Sequence, residues 1–133
     1  MKFSTRTTYG LRALISLADN YKNKAISLSF ISKKENISLG YLEQIFAKLK
    51  KANIVKSEKG INGGYLLSKK PNKITVFDII SSLEGGLSFF NCVNESGKIV
   101  CDKKNNCKAV NILQKIQRTV NLSLKNIKLS DLL

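Results

Sequence analysis

The sequence predicts a mainly α-helical fold of the α+β class, with one small β-hairpin and a long helix near its C-terminus. Three observations predict it. Apolar residues recur at helical spacing through most of the chain, a glycine-rich turn separates two short β-prone segments, and a further apolar stripe begins after residue 107. The chain has 133 residues, 43% of them hydrophobic, which suffices for one domain with its own core.

The first three predicted helices have the spacing of a helix-turn-helix. Ser4 or Thr5 begins the first helix, whose apolar residues stand at i, i+3, i+4 and i+7. A short second helix begins at Ser27, and Ser38 is the expected N-cap of a third helix that ends near Lys51. Polar side chains occupy one face of this third helix. Its opposite, inward face consists of Leu42, Ile45, Phe46 and Leu49.

A basic β-hairpin follows the third helix. Residues 54–58 and 65–68 are strand candidates, and residues 59–64 between them are rich in glycine and asparagine, which tolerate positive φ. A hairpin directly after a helix-turn-helix predicts a winged helix-turn-helix. We assign residues 1–84 to this domain, because a further helix with a Thr-x-x-Asp capping box ends before Gly85.

The C-terminal part is predicted to be a loop and a helix. Residues 85–107 show no periodicity and contain all three cysteines, and a helix returns over residues 108–125. Residues 108–133 also include a last turn that Ser130 is expected to cap. The apolar stripe of the helix comprises Val110, Leu113, Gln117, Val120, Leu124 and Ile127, widened by Ile112, Ile116 and Leu122. Because a small domain cannot bury such a helix on all sides, we expect it to form a homodimer; packing on its own domain alone is the alternative.

Charge and composition narrow the function classes. The formal net charge is +14, with 14 basic and 4 acidic side chains in residues 1–70 against 9 and 5 in residues 71–133. This asymmetry predicts that the N-terminal domain binds a polyanion; a solvated lysine-rich surface is the alternative. The absence of histidine excludes Ser-His-Asp and Cys-His catalysis, and no phosphate-binding loop is present. We therefore expect a protein that is not an enzyme.

The expected location is the cytoplasm, without a membrane partner. No stretch approaches the roughly 18 apolar residues of a membrane span. Arg6 and Arg12 interrupt any apolar core of a signal peptide. In a reducing compartment structural disulfides are uncommon, so metal or redox roles are favoured for the cysteines.

Two surface segments are predicted to contact double-stranded DNA. The candidate contacts are Ser38, Tyr41, Glu43, Gln44, Lys48, Lys59 and Gly60. A glutamine on an outward helix face can pair bidentately with adenine, and a glutamate can accept a hydrogen bond from cytosine N4. The serine and tyrosine near the helix start can reach a phosphate or a base edge, and the helical lysine a phosphate. The Lys-Gly pair of the hairpin lets a cation and the main chain approach the minor groove closely.

Three segments resemble the Rrf2 family of winged-helix transcriptional regulators, whose members include IscR, NsrR and CymR. They are residues 9–14 (YGLRAL), 37–45 (ISLGYLEQI) and 59–67 (KGINGGYLL). The resemblance covers nearly the whole chain. It implies a homodimer that binds DNA through two winged domains joined by the long C-terminal helices. Members of the family often have arginine where this chain has Lys59.

The resemblance also implies a sensing role for the cysteine loop. It implies an iron–sulfur cluster, 2Fe–2S or 4Fe–4S, held by Cys92, Cys101 and Cys107, and thiolates are the usual ligands of such clusters. The separation of the first two cysteines is longer than is usual in the family. Zinc is the competing metal, although no Cys-x-x-Cys pair is present.

The fourth ligand of such a cluster stays open. Val110 stands where IscR-like relatives have a histidine, and the remaining candidates are Glu95, Asp102, Asn111 or an external thiol. A regulator of the same fold without a cluster is therefore the alternative function. Its signal would come from a partner protein or from thiol oxidation, as in a regulator of cysteine metabolism.

Overall fold

The computed structural model describes residues 2–20, 24–102 and 106–133 of the chain. Within these ranges the predicted α+β class is confirmed, with five α-helices and one two-stranded antiparallel sheet. In chain order the elements are α1 (Thr5–Asp19), α2 (Leu28–Glu35), α3 (Leu39–Lys51), β1 (Val55–Glu58), β2 (Gly64–Leu67), α4 (Val76–Glu84) and α5 (Val110–Lys125). Single 3₁₀ turns follow β2 at Pro71–Lys73 and α5 at Leu129–Leu132.

One core joins the four N-terminal helices and the hairpin. The predicted inward face of α3 is confirmed, because all four of its apolar side chains are fully buried. The end of the chain also returns to this core. Leu129 is fully buried and its N–H donates to Ile74 O at 2.8 Å, while Val76 N–H donates to Ile127 O at 2.8 Å. The last turn therefore begins at Leu129, one residue before the Ser130 cap that the sequence suggests.

Side-chain caps fix the helix starts around the helix-turn-helix. Ser27, Ser38 and Thr75 accept hydrogen bonds from the N–H groups of Phe30, Tyr41 and Asp78 at 3.1, 3.3 and 3.1 Å. Thr75 and Asp78 form the predicted capping box. The turn between α2 and α3 passes through Asn36, whose φ of 55° is a conformation that asparagine tolerates. These local contacts explain why the helix boundaries could be predicted closely.

Ser4 has a different role from the expected cap of α1. Its side chain makes no capping hydrogen bond; its N–H and hydroxyl donate to Glu84 Oε1 at 3.0 and 2.7 Å. Burial alone would raise the pKa of Glu84. Hydrogen bonds from Thr7 and Ser4 and the nearby charge of Arg6 together lower it by more than burial raises it, so the pKa of Glu84 lies below its ordinary value. The ionised Glu84 carboxylate therefore stabilises the folded protein at pH values above the ordinary glutamate pKa. This contribution to stability is lost as the pH falls through the lowered pKa of Glu84 in the folded state.

The packing of α1 on α4 requires a glycine. A Cβ atom at Gly10 would lie 2.4 Å from Leu83 Cδ1, and the Leu83 side chain is fully buried. In contrast, a Cβ at Gly40 of α3 would have no neighbour within 4 Å. Of these two helical glycines, only Gly10 allows a close approach between helices, that of α1 to α4.

We expect Gly10→Ala to lower the free energy of unfolding by about 1–3 kcal/mol, because overpacking forces a buried leucine out of place. The matched control is Gly40→Ala, which is expected to be neutral or to raise stability by about 1 kcal/mol. Denaturant unfolding of both variants tests this. Equal stability of the two variants would contradict the close approach.

Candidate nucleic-acid interface and cysteine loop

The exposed face of α3 is held between α1 and the hairpin. On one flank, Tyr41 Oη lies 2.9 Å from Thr5 Oγ1, and the Tyr41 ring packs edge-on against Tyr9 with centroids 5.7 Å apart. On the other flank, Lys50 Nζ donates to Ser57 Oγ of β1 at 2.9 Å. Because both flanks are tied to neighbouring elements, the outward face of α3 has a fixed orientation relative to the hairpin.

The predicted DNA-contacting residues of α3 and its N-cap fall into three groups. Glu43 and Gln44 are exposed, so their carboxylate and amide are open to a ligand. The side chains of Ser38 and Tyr41 already have partners: the serine caps the helix, and the tyrosine hydroxyl contacts α1. Lys48 is exposed but lies toward α4, where it borders a hollow of about 410 Å³ with Ser81, Gly85 and Glu95.

The hairpin presents its tip to solvent. Val55 pairs with Leu67 at its base, and Glu58 pairs with Gly64 next to the turn. The strand β2 is also tied to the chain before α2, since Tyr65 exchanges two backbone hydrogen bonds with Ile26 at 2.8 and 2.9 Å. Lys59 and Gly60, the predicted minor-groove contacts, are both exposed, and Gly60 has a φ of 112° that favours glycine. The role of Lys50 in anchoring the hairpin was not predicted.

The cysteine loop folds into a small hairpin that periodicity did not predict, although its turn has a local signature: Asn94 Oδ1 accepts from Lys98 N–H at 2.8 Å, and Gly97 has a φ of 89°. Val100 N–H donates to Cys92 O at 2.9 Å, and Asn94 N–H donates to Lys98 O at 2.9 Å across a turn. Cys92 is therefore paired with the residue that directly precedes Cys101. The hairpin spans residues 92–100, so Cys92 begins it and Cys101 directly follows it.

Two buried amides on α5 dock this loop. Gln117 Nε2 donates to Leu87 O at 2.6 Å, and Gln117 Oε1 accepts from Phe89 N–H at 3.0 Å. Asn121 Nδ2 donates to Glu95 O at 2.7 Å. The sequence places Gln117 in an apolar stripe that is expected to face a second chain; it is instead fully buried within its own chain, where it hydrogen-bonds the loop. The loop backbone is thereby satisfied inside the protein.

The apolar surface of α5 is divided between the chain itself and solvent. Val110 is buried, and Leu124 packs against the cluster that contains Val76 and Ile80 of α4. Much of the predicted stripe is thus covered within one chain. The residues that widen it remain uncovered: the exposed fractions of Ile112, Ile116 and Leu122 are 54%, 41% and 62%.

The cysteines supply soft donors, but the described residues do not form a complete metal site. No three cysteine, aspartate or glutamate side chains of the described ranges are grouped closely enough to hold a metal ion. Cys92 and Cys101 are half-buried, and Cys107 is exposed. Three thiolates match the ligand chemistry of an iron–sulfur cluster, and two of them, Cys92 and Cys101, stand at the two ends of the small hairpin.

The structure reduces the number of residues that are candidates for a fourth cluster ligand. The Glu95 carboxylate accepts hydrogen bonds from Leu87 N–H at 3.0 Å and from the Ser81 hydroxyl, so it is already engaged. Val110 is 4% exposed and apolar. Asp102 and Asn111 are exposed, and they remain the protein-derived candidates besides an external thiol.

The same arrangement of elements occurs in known proteins. The Rrf2 family model, described as iron-dependent transcriptional regulator, matches residues 3–133. The chain belongs to the Rrf2 family of transcriptional regulators. Its fold resembles that of CymR, the global cysteine regulator of B. subtilis, with a TM-score of 0.78 and 35% identity over 99% of this chain and 95% of that one. It also resembles IscR of T. potens, with a TM-score of 0.75 and 33% identity over 99% and 85%.

Sequence relatives point to the same family. IscR of Aliivibrio salmonicida is 31% identical over all of this chain and 77% of that protein. CymR of Bacillus subtilis is 44% identical over 88 residues, which are 66% of this chain and 64% of that protein. These Rrf2 relatives are regulators rather than enzymes, in agreement with the composition. In the described residues, no helix is long and apolar enough to cross a membrane.

We expect Gln117→Leu to release the cysteine loop from α5. The substitution leaves the N–H of Phe89 and the carbonyl of Leu87 without their buried partner, which costs about 1–3 kcal/mol. Hydrogen exchange of the loop amides 87–97 should accelerate, whereas Lys115→Ala, at an exposed position of the same helix, should leave it unchanged. Unchanged protection in Gln117→Leu would show that the loop is held by other contacts.

Proposed function

We propose that this Rrf2 regulator acts in the cytoplasm as a homodimer that binds double-stranded DNA. In this proposal α3 enters the major groove, the hairpin tip reaches the minor groove, and the three-cysteine loop holds an iron–sulfur cluster. The observation that carries the sensing proposal is the hairpin of residues 92–100, which pairs Cys92 with the residue before Cys101 on a loop docked to α5.

The support for DNA binding comes from the charge and geometry of α3 and the hairpin. Glu43 and Gln44 are exposed on α3, and Lys50 fixes the hairpin beside it. An outward helix with a polar face can read base edges in the major groove, while lysines around it contact phosphates. The excess of basic side chains in residues 1–70 supplies the attraction to the phosphate backbone.

The support for a cluster comes from the donor set. Cys92, Cys101 and Cys107 would hold it, with Asp102, Asn111 or an external thiol as the remaining ligand. When bound, the cluster supplies a redox-sensitive and labile centre. The chain's own contribution is to link the loop to α5 through Gln117 and Asn121, so that the state of the loop biases the position of the helix.

A clusterless regulator is the second candidate, and the exposure of Cys107 supports it. An exposed thiol is accessible to oxidation. In that case the signal would be thiol oxidation or a partner protein. The two candidates share the DNA-binding surface and differ only in what the loop carries.

Gln44→Ala is expected to weaken specific DNA binding by about 1–3 kcal/mol and to leave non-specific binding nearly intact, because a bidentate base contact is lost. Lys59→Ala should weaken both, since a charge near the phosphates is lost. Titrations of both variants with a selected duplex and with unrelated DNA separate these effects. An equal loss on both DNAs in Gln44→Ala would show that Gln44 is not a base reader.

Cys92→Ala, Cys101→Ala and Cys107→Ala are each expected to lose most of the iron bound after anaerobic purification, while each variant stays folded. The reason is that three thiolates act together as ligands. Iron and sulfide analysis with visible absorbance measures the loss, and circular dichroism checks the fold. The clusterless candidate predicts iron near zero in every variant, the wild type included.

Replacing Ile112 and Ile116 together by lysine is expected to give monomers, because charge would be buried at the exposed apolar face of α5. Ile61→Lys places the same charge at an exposed isoleucine outside this face and is the control. Sedimentation equilibrium measures the association. A double variant that stays dimeric would place the interface elsewhere.

A further inference from the structure

An isoleucine at the tip of the hairpin is left uncovered by the described part of the chain. Ile61 is fully exposed, and it is the most exposed large apolar side chain among the described residues. The next is Leu122 on α5, at 62%. Single exposed apolar residues are common on protein surfaces, so exposure alone assigns no role to Ile61.

The local backbone makes the isoleucine a poor choice for folding. Gly63 N–H donates to Gly60 O at 3.0 Å, which closes a turn with Ile61 and Asn62 at its two central positions. Such positions favour glycine, proline, asparagine, aspartate and serine, and β-branched apolar residues are uncommon there. Ile61 therefore contributes little to the turn and buries no surface in it. A residue that breaks a local rule without a folding gain is expected at a functional site.

The tip is held in place and carries positive charge. Its base is fixed to α3 by the hydrogen bond from Lys50 to Ser57, and Lys59 directly precedes the turn. A hollow of about 580 Å³, bordered by Lys24, Ser27 and Ile61, separates the tip from the chain before α2. The Ile61 side chain therefore projects from the domain near Lys24, Glu58 and Lys59, and no residue of the ranges 2–20, 24–102 and 106–133 covers it.

We infer that Ile61 is an apolar wedge that enters the DNA minor groove and partly unstacks a base step there. The inference rests on the proposed docking of the hairpin tip at the minor groove. Apolar side chains inserted between base steps kink the duplex, and nearby lysines hold the phosphates on both sides. Ile61 would then add specificity through deformability, with a preference for flexible steps such as TA.

The test compares Ile61→Asn with Ile61→Leu on duplexes that the wild-type protein selects from a randomised pool. Asparagine is favoured in turns but is polar, whereas leucine keeps the apolar volume. Ile61→Asn should bind the duplex about tenfold more weakly, because the apolar burial of the isoleucine side chain is lost. It should also bend the duplex less, as measured by energy transfer between labels at the two DNA ends. Ile61→Leu should retain most of both. The salt dependence of Ile61→Asn should equal that of wild type, because no phosphate contact is lost, whereas Lys59→Ala should reduce the slope by about one.

Three results would overturn the inference. The first is that the wild-type protein leaves the bound duplex straight. The second is that Ile61→Asn binds and bends the duplex as the wild-type protein does. The third is that the salt dependence of binding by Ile61→Asn differs from that of the wild-type protein. In these cases the selection itself and the effect of Gln44→Ala still report on DNA binding through α3. If the wild-type protein selected no duplex at all, the proposed function and the wedge would both be wrong. Thermal unfolding of Ile61→Asn, expected to match wild type, excludes loss of folding as the cause.

Discussion

The structure of the C-terminal half depends on two amide side chains of α5. Gln117 and Asn121 face the cysteine loop and make the hydrogen bonds that its carbonyl and N–H groups would otherwise make with water. A buried polar network of this kind destabilises the fold when one of its groups lacks a partner, and it favours a single arrangement of the chain when every group is hydrogen-bonded. It joins the loop that carries the thiols to the helix whose exposed apolar face is proposed to pair with a second chain.

The N-terminal half follows a different principle, because local contacts determine most of it. Serine and threonine caps set the starts of α2, α3 and α4, and an apolar face at helical spacing buries α3. Long-range contacts then orient the recognition surface: Tyr41 ties α3 to α1, and Lys50 ties it to the hairpin. Both flanks of the exposed face of α3 are thus tied to neighbouring elements. The cysteine loop is held by the hydrogen bonds of Gln117 and Asn121 and by the buried side chains of Leu87 and Val93.

The difference explains how much the sequence could predict. Ser38, the inward face of α3 and the capping box of α4 have signatures within four residues, and the structure confirms them. The anchoring of the wing by Lys50 has no such signature, because it depends on residues that meet only after folding. The hairpin at Cys92 has a local turn signature, Asn94 and Gly97, that periodicity does not detect. Gln117 shows the limit most clearly. Periodicity placed it on a face expected to meet a second chain, and could not reveal that it is buried in its own chain as a hydrogen-bonding partner of a distant loop. The DNA contacts and cluster ligands remain predictions from residue type and position.

The central claim is that the state of the cysteine loop is linked to DNA affinity. The most direct measurement is the dissociation constant of one selected duplex for two preparations of the same protein, one purified and kept anaerobic and one freed of iron by a chelator. Linkage through the loop and α5 predicts that the two constants differ by at least about fivefold, the usual lower range of coupling between sites. Equal constants for an iron-loaded and an iron-free preparation, or a protein that takes up no iron, would contradict the account.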